Sequence, residues 1–138
     1  MEETSGKNSV FLGKTTKSVF FVPKVKLIND IKDEILGKNY CVSIVFIGEK
    51  KSKYLNNKYR KINKPTDVLS FNIDKNNGEV FITPKVAIKK SGHFGMNSKK
   101  YLLFLVIHAF LHLKGYKHGV KMEKAEESFL DVYSKNFN

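Results

Sequence analysis

The stretch that most limits how this chain can fold runs from Tyr101 to Leu113, its longest apolar run, broken only by His108 and His112. It falls short of the ~20 residues a bilayer span requires. A helix of a folded domain is the expectation, with Ser98 placed to cap it and an end near Lys114. Residues four apart in a helix share a face, about 6 Å apart along the axis. His108 and His112 can therefore aim their imidazoles at one point. Gly115 can take the left-handed conformation that stops a helix, which lets the chain turn and bring His118 back to that point.

Three neutral imidazoles with a fourth position open are the ligand set of a catalytic zinc site rather than a closed structural one. The competing reading makes His108 and His112 core histidines on an apolar helix. A single histidine would favour that; three of the chain's four histidines, with a glycine between the second and third, favour a metal. The spacing is also that of the metzincin peptidases, HExxHxxGxxH, in which the glutamate is the general base. Ala109 stands at that position here, and no Asp or Glu occurs from Val80 to Met122. Peptidase chemistry of that kind is thereby disfavoured. His93, in Ser91-Gly-His-Phe-Gly95, reads as a capping or surface residue.

Charge points to the substrate. The net charge of +12 comes from 25 basic and 13 acidic residues, and its distribution matters more than its sum. Lys50 to Lys64 has no carboxylate but carries Lys50, Lys51, Lys53, Lys58, Arg60, Lys61 and Lys64. The acid-free stretch from Val80 to Met122 contains the whole histidine cluster. A positive field around a metal site favours a polyanion, and nucleic acid is the obvious one. A lysine-rich codon bias with ordinary solvated surfaces is the plainer alternative.

Arg60 is the sole arginine. Its planar fork binds phosphate or carboxylate in a bidentate way that lysine cannot copy. It reads as a phosphate clamp stabilising charge on a phosphodiester oxygen, with chance or a structural salt bridge as the alternative. Asp67 is the only acid between Glu49 and Asp74. It can orient a ligand histidine, pair with Arg60 or receive a proton, or it can be a turn residue capping local backbone.

At 138 residues the chain is expected to form one domain, 1–138, with 1–9 frayed. Met1-Glu2-Glu3-Thr4 is acidic where a signal peptide is basic, and the lone Cys41 permits no internal disulfide. A cytoplasmic protein with no membrane contact and no disulfide partner is expected. Thr15 to Leu36 reads as helical, with Pro23 marking a kink or a later true start. Cys41 to Ile47 reads as a strand, and Lys50 to Arg60 as a short amphipathic helix. Thr66 to Ile73 and Glu79 to Thr83 flank a polar turn as a hairpin. Pro84 to Gly95 and Met122 to about Asn136 complete the helices. Mixed elements with a central hairpin indicate an α+β fold with a small mixed sheet.

Asn56-Asn-Lys-Tyr59-Arg60, Pro65-Thr-Asp-Val-Leu-Ser-Phe71, Gly78-Glu-Val-Phe-Ile-Thr83 and His108-x-x-Leu111-His112-Leu-x-Gly115-Tyr116-x-His118 together resemble the signatures of the YbeY family. Its members are bacterial metal-dependent endoribonucleases and ribosomal RNA maturation factors. The resemblance implies an α+β fold with a four-stranded sheet and about five helices. It implies one zinc ion per chain on His108, His112 and His118, and a critical role for Arg60. It further implies a single-strand-directed endoribonuclease acting in ribosomal RNA maturation, chiefly at the small-subunit 3′ end, and in ribosome quality control. On this reading Arg60 and Asp67 are the catalytic candidates, while Lys58, Arg60, Lys61, Lys64 and Lys117 contact RNA. A ribosome-associated RNA-binding factor with a structural metal, or a metallohydrolase of another substrate, are the alternatives. Two positions depart from the family pattern. Ala109 replaces a usual glycine, and Lys117 replaces a usual aspartate beside the third histidine, removing an acid that could support the metal site.

Overall fold

The computed structural model describes residues 9–18 and 20–135. The chain runs β1 (Val10–Lys14), α1 (Val25–Leu36), β2 (Cys41–Phe46), α2 (Glu49–Arg60), β3 (Val68–Asp74), β4 (Asn77–Ile82), α3 (Pro84–His93), α4 (Ser98–Lys114) and α5 (Val120–Tyr133). The four strands form one mixed sheet in the order β1-β2-β4-β3. β2 lies parallel to β1 and β4, and β3 is antiparallel to β4. The α+β class, the four-stranded sheet and the five helices agree with expectation.

Strand alternation divides the sheet into two faces. Val42, Ile44 and Phe46 of β2 stand opposite Gly78, Val80 and Ile82 of β4, and all six are buried. This inner face packs on α1 and α4. The central helix is α4, which contacts α1, α3, α5 and β3. Ten of its residues are buried, on every side, as expected of a helix that is apolar all round. The outer face carries Phe11, Ser43, Glu79, Phe81, Phe71 and Ile73, and Tyr59 of α2 packs on Phe71 there.

Several boundaries differ from the sequence reading for identifiable reasons. The helix expected from Thr15 begins at Val25, because Pro23 has no N–H to give and biases Val22 to extended backbone. Lys24, just before it, is extended, and Thr15 N donates to Phe46 O at 2.9 Å. Strand β1 was not expected from the sequence. Ser9, taken as frayed, is buried with its N–H donating to Asn29 Oδ1 at 3.3 Å; residues 1–8 lie outside the described residues. Asn97, not Ser98, caps α4, its Oδ1 accepting from Lys100 N at 2.8 Å. The hairpin turn is tighter than the five polar residues suggested. Asp74 Oδ1 accepts from Asn76 N at 2.8 Å and Asn77 Nδ2 at 2.9 Å, leaving only Lys75 and Asn76 outside the strands.

Candidate metal centre

The histidine site is made by two glycine-dependent turns at the end of α4. Gly115 has φ 115°, and its N–H donates to His112 O and Leu111 O at 3.0 and 3.2 Å. Tyr116 N–H reaches back to Leu111 O at 2.9 Å, closing a Schellman-type cap. Gly119, with φ 152°, redirects the chain into α5. Between these turns His118 is held over the face of α4 that carries His108 and His112. The ring centroids lie 4.6 Å (His108–His112), 4.5 Å (His112–His118) and 5.5 Å (His108–His118) apart. One nitrogen from each ring falls within 4.8 Å of the others, close enough to hold a metal ion.

Two of the remaining ring nitrogens, those of His108 and His112, have partners that orient the site. His112 Nδ1 lies 3.1 Å from Tyr116 O. A carbonyl only accepts, so Nδ1 carries the proton and the Nε2 lone pair is left for a metal. His108 Nδ1 contacts Glu126 Oε2, which likewise directs Nε2 inward. Burial and the neighbouring His108 hold His112 below the usual histidine range, against the opposing pull of the Tyr116 carbonyl. His112 thus favours the neutral imidazole, the form that binds metal. His108 and His112 are half-buried and His118 is exposed, so one side of the cluster faces solvent.

Glu126, just beyond the acid-free stretch from Val80 to Met122, was not among the residues expected at the site. It is buried, on α5. The signal was present: Met122, Glu126 and Leu130 recur every fourth residue, which puts the carboxylate on the buried stripe of α5. A buried carboxylate requires a partner.

Asp67 lies elsewhere. It is buried, with Oδ2 accepting from Tyr101 OH at 2.8 Å and lying 3.5 Å from Lys90 Nζ. Burial first, then the Asp67 hydrogen bond and charge, push the Tyr101 phenol well above its ordinary range. Tyr101 precedes His108 by seven residues of α4, about 10 Å of helix. The carboxylate is therefore bonded neither to a ligand histidine nor to Arg60.

Arg60 is the exposed last residue of α2. Among the described residues no carboxylate pairs with its guanidinium. The loop that follows is fixed by buried side chains of α2. Ser52 Oγ donates to Thr66 O and accepts from Thr66 N, both at 2.9 Å, and Asn56 Nδ2 donates to Lys64 O at 2.8 Å. Lys61 caps α2 in left-handed backbone, φ 62°. Lys58 extends over the rings of Tyr59 and Tyr54, 5.3 and 5.9 Å from their centroids. Lys61, Lys64 and Lys117 are exposed, Lys117 beside His118, and His93 is exposed at the end of α3, outside the triad.

Comparison with known proteins gives one consistent result. A family model described as "Endoribonuclease YbeY" matches residues 20–133. An endoribonuclease YbeY of Thermotoga petrophila is 33% identical over 111 residues, covering 75% of this chain and 74% of the relative. That of Phytoplasma mali is 38% identical over 116 residues, covering 82% and 70%. A solution structure of a Thermotoga maritima protein superimposes with a TM-score of 0.61 at 26% identity, covering 91% of this chain and 89% of the other. Sequence, fold and histidine geometry agree that the chain belongs to the endoribonuclease YbeY family.

Proposed function

We propose that this protein is a zinc-dependent endoribonuclease that hydrolyses phosphodiester bonds of single-stranded RNA. In the cell its substrate is ribosomal RNA, chiefly the small-subunit 3′ end, and its partner is the ribosome or small subunit, in maturation and quality control. The observation that carries this reading is the convergence of three imidazoles beside solvent, two of which, His108 and His112, have the Nδ1 engaged and the Nε2 lone pair left free. Membership of an endoribonuclease family supports RNA as the polyanion.

His108, His112 and His118 fit zinc by number and donor type and would hold it at a site where His118 is exposed. When bound, the ion supplies Lewis acidity to a phosphate oxygen or to water. Every other part falls to the chain. Glu126 and the Tyr116 carbonyl hold two of the rings in the binding tautomer. Arg60, exposed and paired with no carboxylate among the described residues, clamps the phosphate and stabilises charge developing on its oxygens. Lys58, Lys61, Lys64 and Lys117 hold the flanking backbone. Asp67 takes a positioning part, fixing α4 against β3 through Tyr101. An exposed third ligand is poorly suited to a closed structural site, so the RNA-binding factor with a structural metal is the weaker reading.

The test is a ribonuclease assay on wild type, Arg60→Ala and His108→Ala, with metal content measured on each. Wild type is expected to hold metal and cleave. Arg60→Ala should keep the metal and lose about 10²–10³-fold in rate, while His108→Ala should lose both. Equal cleavage by all three would trace the activity to a contaminant. A cyclic phosphate among the products assigns attack to the ribose 2′-hydroxyl; its absence assigns attack to water.

A further inference from the structure

Outside the histidine site, one feature combines exposed aromatic surface with the basic end of α2. The α2 helix crosses the outer face of the sheet at β3 and leaves a groove lined by Leu55, Tyr59, Phe71, Ile73, Glu79 and Phe81. Tyr59 packs its ring on Phe71 at 4.9 Å between centroids, and Phe71 meets Phe81 edge-on at 6.1 Å. Tyr59 is nevertheless 55% exposed and Ile73 59% exposed, a large apolar surface to leave in water. Arg60 follows Tyr59 directly, and the Lys58 ammonium lies over the Tyr59 ring.

The groove's position links it to the metal site. β3 is an edge strand, and its successive side chains point to opposite faces. Asn72 points inward, where its Nδ2 donates at 3.3 Å to the carbonyl of Leu113, the residue after His112. Phe71, its neighbour, points outward into the groove. The groove and the C-terminal end of α4, which carries His112, therefore lie on opposite faces of the edge strand β3.

We propose that this groove is a subsite for one unpaired nucleobase of the RNA, adjacent to the phosphate that Arg60 holds. The proposal rests on the reading of the substrate as RNA and deepens it. The aromatic faces of Tyr59 and Phe71 stack the base, as such faces do for any base. Glu79 keeps phosphate out of the groove while accepting from a base amino group, and the acid-free Lys50–Lys64 segment holds the backbone on either side. A duplex cannot enter, because its bases are already stacked and paired. Preference for single strands is then a property of this groove.

The test is an anisotropy titration of the full chain, kept in chelator so that the probe stays intact. The probes are a short single-stranded RNA, the same strand with one base removed at each position in turn, and its duplex. Tyr59→Ala should weaken single-strand binding by about tenfold and leave duplex binding unchanged, while Tyr59→Phe retains wild-type affinity. Removing the base at one position should cost wild type a similar factor and cost Tyr59→Ala nothing further. Wild-type affinity in Tyr59→Ala, the result a protein-docking groove gives, would overturn the subsite and leave the RNA reading standing. Equal losses for single strand and duplex would also overturn it, since a general electrostatic change acts on both. No RNA binding by wild type would sink the RNA reading itself.

Discussion

Glu126 shows what single residues add beyond the ligands. Beside the third histidine in sequence stands Lys117, which offers no acid to the site. The Glu126 carboxylate, reaching His108 Nδ1 from α5, supplies one from a different helix. Its partner holds the imidazole ring and fixes its tautomer. Glu126→Ala is expected to lower metal affinity about 10–100-fold without altering the helix content. Glu126→Gln, still able to accept through its amide oxygen, should lose less. Chelator competition, with circular dichroism alongside, reads both; unchanged affinity in Glu126→Ala would make this carboxylate a mere space-filler. The convergence of the three histidines was legible in the sequence because four-residue spacing and a glycine are local signals. Glu126 was harder, because its partner lies 18 residues away and only its place on the buried stripe of α5 betrays it. Asp67 was conspicuous in sequence, being an isolated acid, yet the fold commits it to Tyr101 and Lys90.

Among the elements, β3 and the end of α4 depend on a close approach at Gly78 of β4. Tyr40 OH donates to Asn72 Oδ1 at 2.6 Å, and Asn72 holds Leu113 O. A Cβ on Gly78 would overlap the Tyr40 hydroxyl and come within 3.1 Å of the Leu113 methyls. Tyr40 and Leu113 are both buried, so neither can step aside into solvent. Gly78→Ala should destabilise the fold by about 1–3 kcal/mol, seen as a lower denaturation midpoint at unchanged slope. An unchanged midpoint would show that the Tyr40–Asn72–Leu113 connection is slack. Elements with strong local pattern were legible: β2 by its β-branched run, α4 by its apolar length, the hairpin by its polar turn. β1 was not, because five residues containing a glycine and a lysine carry little period-two signal. Their pairing is parallel, to a strand more than twenty-five residues away, which no local pattern encodes.

For the molecule as a whole, the core is complete without the histidines. Ile28 and Ile31 of α1, Val42 and Ile44 of β2, Val80 and Ile82 of β4, and Leu103, Ile107 and Phe110 of α4 are all within 1% of full burial. The three imidazoles sit at the rim of that core, two half-buried and one exposed. Stripping the metal therefore removes a clamp between the end of α4 and the start of α5, not an internal prop. The metal-free chain should remain folded, keeping its helical signal and a cooperative melt. Metal should raise that melt through binding linkage alone. A thousandfold excess over Kd adds about 4 kcal/mol, which for a chain of this size is roughly 10 °C or somewhat more. RNA cleavage should vanish over the same chelator range in which the melting temperature falls, and both should return on adding zinc. A chain that lost its cooperative melt on chelation would mark the metal as structural and remove the main support for an open, reactive centre.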